Sequence, residues 1–235
     1  MKITLYRNIL LFIFFIAHIN CASAQSQSSG LANYSSAQIV RVKAMTTMSK
    51  KDWNSVIYRL PEFQSGKVTF KDGTSTSDYP VLNYNINIEK IVVAESKDTV
   101  NLKNSINVKS ITIGDRVFIN SSPKGFVEKL NQTPVALGVR PLLKVMYENT
   151  NGERFAATDW ELPTSKYDRL YTVQEEYYFI DKKENVFRAT LPSIKKIYKP
   201  SKKEVRKYVK QNKIDFNKKD NLIQLLDFCK DKTTK

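Results

Sequence analysis

Three carboxylates lie close together in the sequence beside two aromatic residues, and they are the first candidates for chemistry. Asp159, Glu161 and Asp168 flank Trp160 and Tyr167. A glycoside hydrolase needs two carboxyl groups roughly 5 to 10 Å apart, and an aromatic platform is a common addition. The cluster is therefore compatible with a hydrolase that acts on glycan or peptidoglycan, although any chain of this size contains such clusters without a catalytic role.

The histidine and cysteine content excludes most other enzyme classes. The only histidine, His18, and one of the two cysteines, Cys21, fall in an N-terminal sorting signal, so that Cys229 alone remains beyond it. Histidine-based triads, histidine general bases and zinc sites with histidine or several thiolate ligands are therefore excluded from that part. We find no phosphate-binding glycine loop and predict neither a metal nor a cofactor. These exclusions favour a non-enzymatic protein.

The first 24 residues have the order of a secretory signal peptide. Lys2 and Arg7 provide a basic start, residues 9–17 are an unbroken apolar run, and Ala22-Ser23-Ala24 offers small residues for cleavage. The apolar run is too short to span a bilayer, which takes about 20 residues. We predict cleavage after Ala24 and export to the periplasm or cell surface. Lipidation at Cys21 is an alternative that would anchor the protein to a membrane.

The chain is strongly basic, with a formal net charge of +15. Such a balance can indicate a polyanionic partner or can serve solubility. Export argues against nucleic acid and leaves anionic lipid or glycan. The positive charge is concentrated at the end of the chain, where residues 193–235 contain 14 Lys or Arg against five Asp or Glu.

The same C-terminal segment has a helical pattern. Ser201 and Glu204 have the spacing of a capping box, and Val205, Tyr208 and Val209 would form one apolar face after it. A second helix is predicted from the apolar stripe of residues 222–229, which includes Cys229 as a buried thiol. We therefore predict that residues 193–235 are a basic helical hairpin packed on the preceding domain.

Basic side chains of the first predicted helix could contact an anionic membrane surface, or they could simply form its solvated face. A polybasic segment gains about 1 kcal/mol per basic residue near such a surface. The contact would require these side chains to share one exposed face, and they are Lys202, Lys203, Arg206, Lys207 and Lys210.

Residues 36–192 are predicted to be a mainly β domain, preceded by a disordered lead-in at residues 25–35. Short alternating runs recur between turn residues, and Asp72-Gly73 and Gly114-Asp115 separate some of them. The spacing predicts consecutive antiparallel strands in a sheet or a barrel-like domain. At its start, the pattern is compatible with a short helix between Ser36 and Lys51 or with a strand at residues 38–43.

The run Leu82 to Ile88 (LNYNINI) alternates apolar residues with asparagine. A strand at residues 81–88 would place Leu82, Tyr84, Ile86 and Ile88 on the core side and Asn83, Asn85 and Asn87 on the other. An open, concave asparagine face could bind a ligand, whereas a flat face would only be solvated. If other segments cover the face, the amides must find hydrogen-bond partners there.

Several of these motifs resemble a group of exported β-rich proteins of Gram-negative bacteria. The shared features are the phenylalanine–glycine hairpin in residues 62–73 (EFQSGKVTFKDG), the Leu-Asn-Tyr-Asn strand at 82–85, residues 98–100, 113–115 and 117–118, and the lysine-rich end at 205–228. The resemblance covers residues 60–235. It implies an envelope location and a β-rich fold, and it transfers no catalytic residues.

Asp98-Thr99-Val100 also resembles the Asp-Thr/Ser-aliphatic acceptor of a bacterial O-glycosylation system for exported proteins, which makes Thr99 a candidate modification site. The sequence as a whole favours an exported binding or assembly protein whose partner is an envelope protein or a glycan. The alternatives are the carboxylate-dependent hydrolase and a peripheral binder of anionic membrane.

Overall fold

Within the described residues, twelve antiparallel strands form one sheet, and four helices accompany it. These residues belong to one compact unit, residues 34–235. The computed structural model describes residues 40–43, 46–95, 98–102, 105–123, 125–131, 133–156 and 166–232. The predicted signal peptide, the lead-in at 25–35 and Cys21 lie outside them.

One strand and one helix come first, eleven further strands follow, and the remaining three helices come after the last strand. The strands are β1 (Val40–Val42), β2 (Gln64–Phe70), β3 (Val81–Asn85), β4 (Lys90–Glu95), β5 (Asp98–Asn101), β6 (Val108–Ile113), β7 (Arg116–Asn120), β8 (Phe126–Lys129), β9 (Ala136–Glu148), β10 (Arg154–Ala156), β11 (Asp168–Ile180) and β12 (Val186–Arg188). The helices are α1 (Lys50–Ile57), α2 (Leu191–Ile197), α3 (Lys202–Gln211) and α4 (Lys219–Lys230).

The strand order confirms the predicted antiparallel sheet. Neighbouring strands run β1-β11-β9-β8-β7-β6-β2-β3-β4-β5, while β10 pairs with β9 and β12 with β11. Most neighbours are also consecutive in sequence, as expected for hairpins joined by short turns. The sheet is open, so the barrel-like alternative is wrong.

The long strands β9 and β11 carry the C-terminal helices. They pair from Asp168 opposite Glu148 to Ile180 opposite Ala136. Side chains of both strands and of α2, α3 and α4 share one hydrophobic core, whose fully buried members include Leu137, Val139, Phe179, Ile194, Val205, Leu222, Leu225 and Cys229. The core anchors the C-terminal helices to the sheet through apolar burial, at about 25 cal/mol per Å².

A second core lies between the strands of the N-terminal half. Val68, Leu82, Tyr84, Ile111 and Phe118 are among its buried members. The side chains of Tyr84 and Phe118 stack with ring centroids 5.7 Å apart. In β6, Ile111 and Ile113 are both inaccessible to solvent, as alternation predicts, and Val108 is also buried although it lies out of that alternation, opposite a register shift between Thr69 and Phe70 of β2.

At the N-terminal end, the strand interpretation of residues 38–43 agrees with β1, which pairs with β11. The helix α1 that follows was not predicted. Ser49 caps it, because its hydroxyl oxygen accepts a hydrogen bond from the backbone N–H of Asp52 at 3.1 Å. Trp53 of α1 packs edge-on against Tyr171 of β11, with ring centroids 5.5 Å apart.

The C-terminal region contains three helices rather than the predicted two. Thr190 caps the additional helix, α2, and accepts a hydrogen bond from the N–H of Ser193. The capping box predicted at Ser201 is wrong: Ser201 lies in a 3₁₀ turn that continues into α3, and its side chain makes no cap hydrogen bond. Cys229 is buried as predicted, and burial raises the pKa of its thiol to about 12.

Candidate functional site

The basic side chains of α3 share one exposed face of the helix. At 3.6 residues per turn, the five positions fall within an arc of roughly 140°. All five residues, Lys202, Lys203, Arg206, Lys207 and Lys210, are exposed. This arrangement meets the geometric requirement for contact with a flat anionic surface, and we refer to these five residues as the basic face.

The opposite side of α3 is fixed in the core. Val205 is completely buried, and Tyr208 stacks on Phe228 of α4 with ring centroids 3.8 Å apart. Glu204, the sole carboxylate of α3, forms an ion pair with Lys232 beyond the end of α4. The helix therefore cannot rotate without loss of core packing, and its basic face points outward.

Of the three carboxylates proposed for hydrolysis, the structure describes Asp168 alone. Asp159 and Glu161 lie outside the described residues. Asp168 begins β11, where one of its oxygens lies 3.0 Å from a guanidinium nitrogen of Arg41. The same Arg41 nitrogen lies 2.6 Å from Glu148. Asp168 and Glu148 therefore share one guanidinium, and both are engaged in ion pairs.

The structure also contains a buried network of alternating charges that the sequence did not predict. Arg59 lies 2.7 Å from Glu128 and 3.4 Å from Glu175, and Arg116 lies 2.9 Å from the second oxygen of Glu128. The hydroxyl of Tyr177 donates to Glu175 at 2.7 Å. Arg59 and Glu128 are 69 residues apart, so no local spacing could have indicated the pair.

Two further carboxylates, Glu176 and Glu148, are held in their charged form by arginines. Burial alone would raise the pKa of Glu176, but hydrogen bonds from Arg188, Tyr178 and Arg140 outweigh burial and hold the pKa below its ordinary value. Arg188 lies 2.5 Å from this carboxylate and Arg140 lies 2.8 Å from it. These contacts suit a structural ion cluster rather than a proton donor.

Hydrogen bonds from Arg154 and Arg41 likewise lower the pKa of Glu148. The carboxylate lies at the end of β9, 2.7 Å from Arg154 of the neighbouring strand β10. It ties the ends of three strands together, because Arg41 belongs to β1. Like Glu176, it is a carboxylate whose surroundings oppose protonation.

Two of the three asparagines expected to share an open ligand face, Asn83 and Asn85, are buried, which corrects that expectation. Asn83 is completely buried, and residues 58–62 cover it. Its side-chain oxygen accepts a hydrogen bond from the N–H of Leu60 at 3.1 Å, and its side-chain nitrogen donates one to the C=O of Leu60 at 2.9 Å. Asn85 is also buried, and it accepts hydrogen bonds from the N–H groups of Asn87 and Ile88. Asn83 and Asn85 are therefore covered, whereas Asn87 lies at the surface.

The strand predicted at 81–88 ends earlier, at Asn85, because a turn begins there. Leu82, Tyr84 and Ile86 are buried as predicted. Ile88 was expected in the core, but its side chain is 42% exposed, and Asn87 lies beside it at the surface. The hydrogen bonds accepted by Asn85 stabilise this turn and end the alternation.

Thr99 lies in β5, an edge strand of the sheet. Its side chain is half-buried, and its backbone N–H donates to the carboxylate of Asp98 at 2.8 Å. The modification of Thr99 stays a prediction.

Three comparisons with known proteins complete the description of the site. No family model matches the chain, and neither a curated protein nor a solved structure is significantly similar to it.

Among the described residues, no three His, Cys, Asp or Glu side chains are grouped as metal ligands. In the same part of the chain, every helix is too short or too polar to cross a membrane.

Proposed function

We propose that this protein is an exported, non-enzymatic binding protein that attaches to an anionic membrane surface through the basic face of α3. The observation that carries this proposal is the position of five Lys or Arg side chains on one exposed face of a helix whose other face is packed in the core. The signal-peptide pattern of residues 1–24 supports the export part of the proposal.

The energetics favour a flat anionic partner. Each basic residue near an anionic leaflet gains about 1 kcal/mol, and the attraction decays over a Debye length of about 8 to 10 Å. A flat surface can approach all five side chains at once, because they project from one face of a helix of ten residues. The helix is ordered before binding, so its backbone loses little additional freedom on contact.

The alternative, a carboxylate-dependent hydrolase, has weaker support. Its acid would need a raised pKa, whereas the pKa values of Glu148 and Glu176 are lowered by arginine contacts. Asp168 also faces Arg41. These contacts favour the non-enzymatic interpretation.

Vesicle sedimentation tests the proposal. The purified protein, tested without the predicted signal peptide because the apolar run at residues 9–17 would itself bind lipid, should bind vesicles that contain phosphatidylglycerol, and it should bind pure phosphatidylcholine vesicles far more weakly. Replacement of all five basic-face residues by glutamine should lower the partition coefficient at least about hundredfold, given the gain of about 1 kcal/mol per residue. Added salt should weaken the binding of the unmodified chain.

A matched variant controls for the loss of net charge. Lys50, Lys51, Lys67, Lys90 and Lys144 are also exposed, and they lie outside α3. Their joint replacement by glutamine removes the same charge and should leave most of the vesicle binding intact. The proposal is contradicted if both variants lose binding equally, or if the unmodified chain binds both kinds of vesicle alike.

A further inference from the structure

A second basic feature lies away from α3, in an open cleft of about 870 Å³. Its walls come from the end of β2, the segment after β7, the turn between β11 and β12, and the helix α2. Four lysines line it: Lys71, Lys182, Lys183 and Lys196. The volume lies within the range of about 300 to 1,000 Å³ that is typical of small-molecule sites.

The acidic side chains of the cleft are already engaged within the protein. The carboxylate of Asp181 accepts hydrogen bonds from the N–H groups of Lys183 and Asn185 and from the side-chain amide of Asn185. Glu184 forms an ion pair with Lys109 at 2.9 Å. Within the described part of the chain, Lys71 and Lys183 have no carboxylate partner. The cleft therefore presents a net positive lining.

Both polar walls are held in place by the fold. The turn that presents Lys182 and Lys183 is closed by backbone hydrogen bonds between Asp181 and Asn185 at 3.0 Å and between Glu184 and Asp181 at 2.9 Å. On the other wall, the Asn120 amide donates to the carbonyl oxygens of Ser105 and Val108. The adjacent Ser121 and Ser122 also line the cleft. A ligand would meet a preformed site.

The cleft also has an apolar base. Val135, Val186, Phe187 and Ile197 contribute to it, and the ammonium group of Lys196 lies over the Phe187 ring, 5.0 Å from its centroid. Apolar surface beside convergent polar groups is the usual composition of a small-molecule site.

We propose that this cleft binds a small organic anion that also carries hydroxyl groups, a sugar acid or a sugar phosphate. The lysines pair with its carboxylate or phosphate, because such charge-assisted hydrogen bonds are the stronger kind. The serine hydroxyls, which can donate and accept, pair with its hydroxyl groups. The source can be a free sugar derivative or the charged residue of a glycan.

An NMR titration of the full chain tests this site. Glucuronate and glucose 6-phosphate should shift the backbone amide signals of Lys183, Asn185 and Phe187, whereas neutral glucose should not. A glucuronate-containing oligosaccharide distinguishes the two sources, because tighter binding than that of glucuronate indicates a glycan. The variant Lys71→Gln/Lys183→Gln/Lys196→Gln should bind the anions at least about tenfold more weakly, as expected when charged hydrogen bonds are lost.

Two controls separate this site from general charge and from the basic face. Replacement of Lys50, Lys51 and Lys67 by glutamine should change the affinity by less than about twofold. The variant that lacks the basic face of α3 should bind the anions as the unmodified chain does, so this proposal and the membrane proposal can fail separately. The proposal is overturned if no anion shifts these signals, if glucose binds equally well, or if the control triple variant weakens binding as much as the cleft variant.

Discussion

Arg59 and Glu128 form a buried ion pair with 2.7 Å between the guanidinium Nε and the carboxylate oxygen. Their side chains are only 6% and 5% exposed. Arg59 lies between α1 and β2, while Glu128 lies in β8. The pair therefore joins the segment after α1 to a strand in the interior of the sheet. Arg116 contacts the same carboxylate at 2.9 Å. Glu128 is therefore shared by two arginines.

Removal of this carboxylate should destabilise the protein strongly. Glu128→Leu leaves two arginines close together without their shared anion, and breaking a buried pair in this way costs about 3 to 5 kcal/mol. Urea denaturation would measure the change in the free energy of unfolding. Glu128→Gln keeps a hydrogen-bond acceptor and should cost less, which provides a measurable variant if Glu128→Leu does not fold. Lys109→Ala, which breaks the exposed pair with Glu184, should cost less than about 1 kcal/mol.

The buried Asn83 amide should matter more than the neighbouring asparagine at the surface. Asn83→Ala leaves main-chain groups of Leu60 and Tyr84 without partners, and each buried orphan group costs about 1 to 3 kcal/mol. Asn87→Ala, at an exposed position of the same motif, should stay within about 0.5 kcal/mol. Equal losses of unfolding free energy for the two variants would contradict the structural role of Asn83.

Acid should remove the stabilisation that Glu176 provides. Its pKa is lower in the folded protein than its ordinary value of 4.5. Its contribution is therefore complete above that ordinary value and is lost as the pH falls toward the lowered one. Denaturation curves between about pH 7 and about pH 3 should show a smaller loss of stability for Glu176→Gln than for the unmodified chain. The exposed Glu95→Gln variant should follow the unmodified chain.

Mass spectrometry of protein isolated from its native envelope tests Thr99. The peptide that contains Asp98-Thr99-Val100 should carry a glycan mass, which Thr99→Ala should abolish. Asp98→Asn should also reduce the modification if the acidic residue is part of the recognition pattern. An unmodified Thr99 peptide as the sole form would remove this expectation.

Local patterns in the sequence were sufficient to predict the structure around a residue where its neighbours in space are also its neighbours in the chain. The alternation in β6 and the turn at Gly114 predicted the hairpin with β7, because the two strands are consecutive. Cys229 could be placed in a core from the apolar stripe of α4 alone. The basic face of α3 could also be listed in advance, since helical periodicity fixes which residues share a side.

Residues whose partners are distant in the sequence could not be placed in this way. The alternation in LNYNINI correctly separates Leu82 and Tyr84 from Asn83. It gives no indication that residues 58–62 cover Asn83, because that contact arises only on folding. The network around Glu128 was missed for the same reason. By contrast, α1 had a local signal in the spacing of Ser49 and Asp52, a cap followed by an acidic residue in the first turn.

Because Cys229 is buried, labelling of its thiol can report when the C-terminal helix α4 separates from the core. In a Cys21→Ser full chain, Cys229 is the single thiol, and it is fully inaccessible in the closed state. A thiol reagent can react with it only when α4 separates from the core, and the high thiol pKa slows any reaction further. The rate of labelling would therefore show whether contact with a vesicle loosens or tightens the helices beneath the basic face.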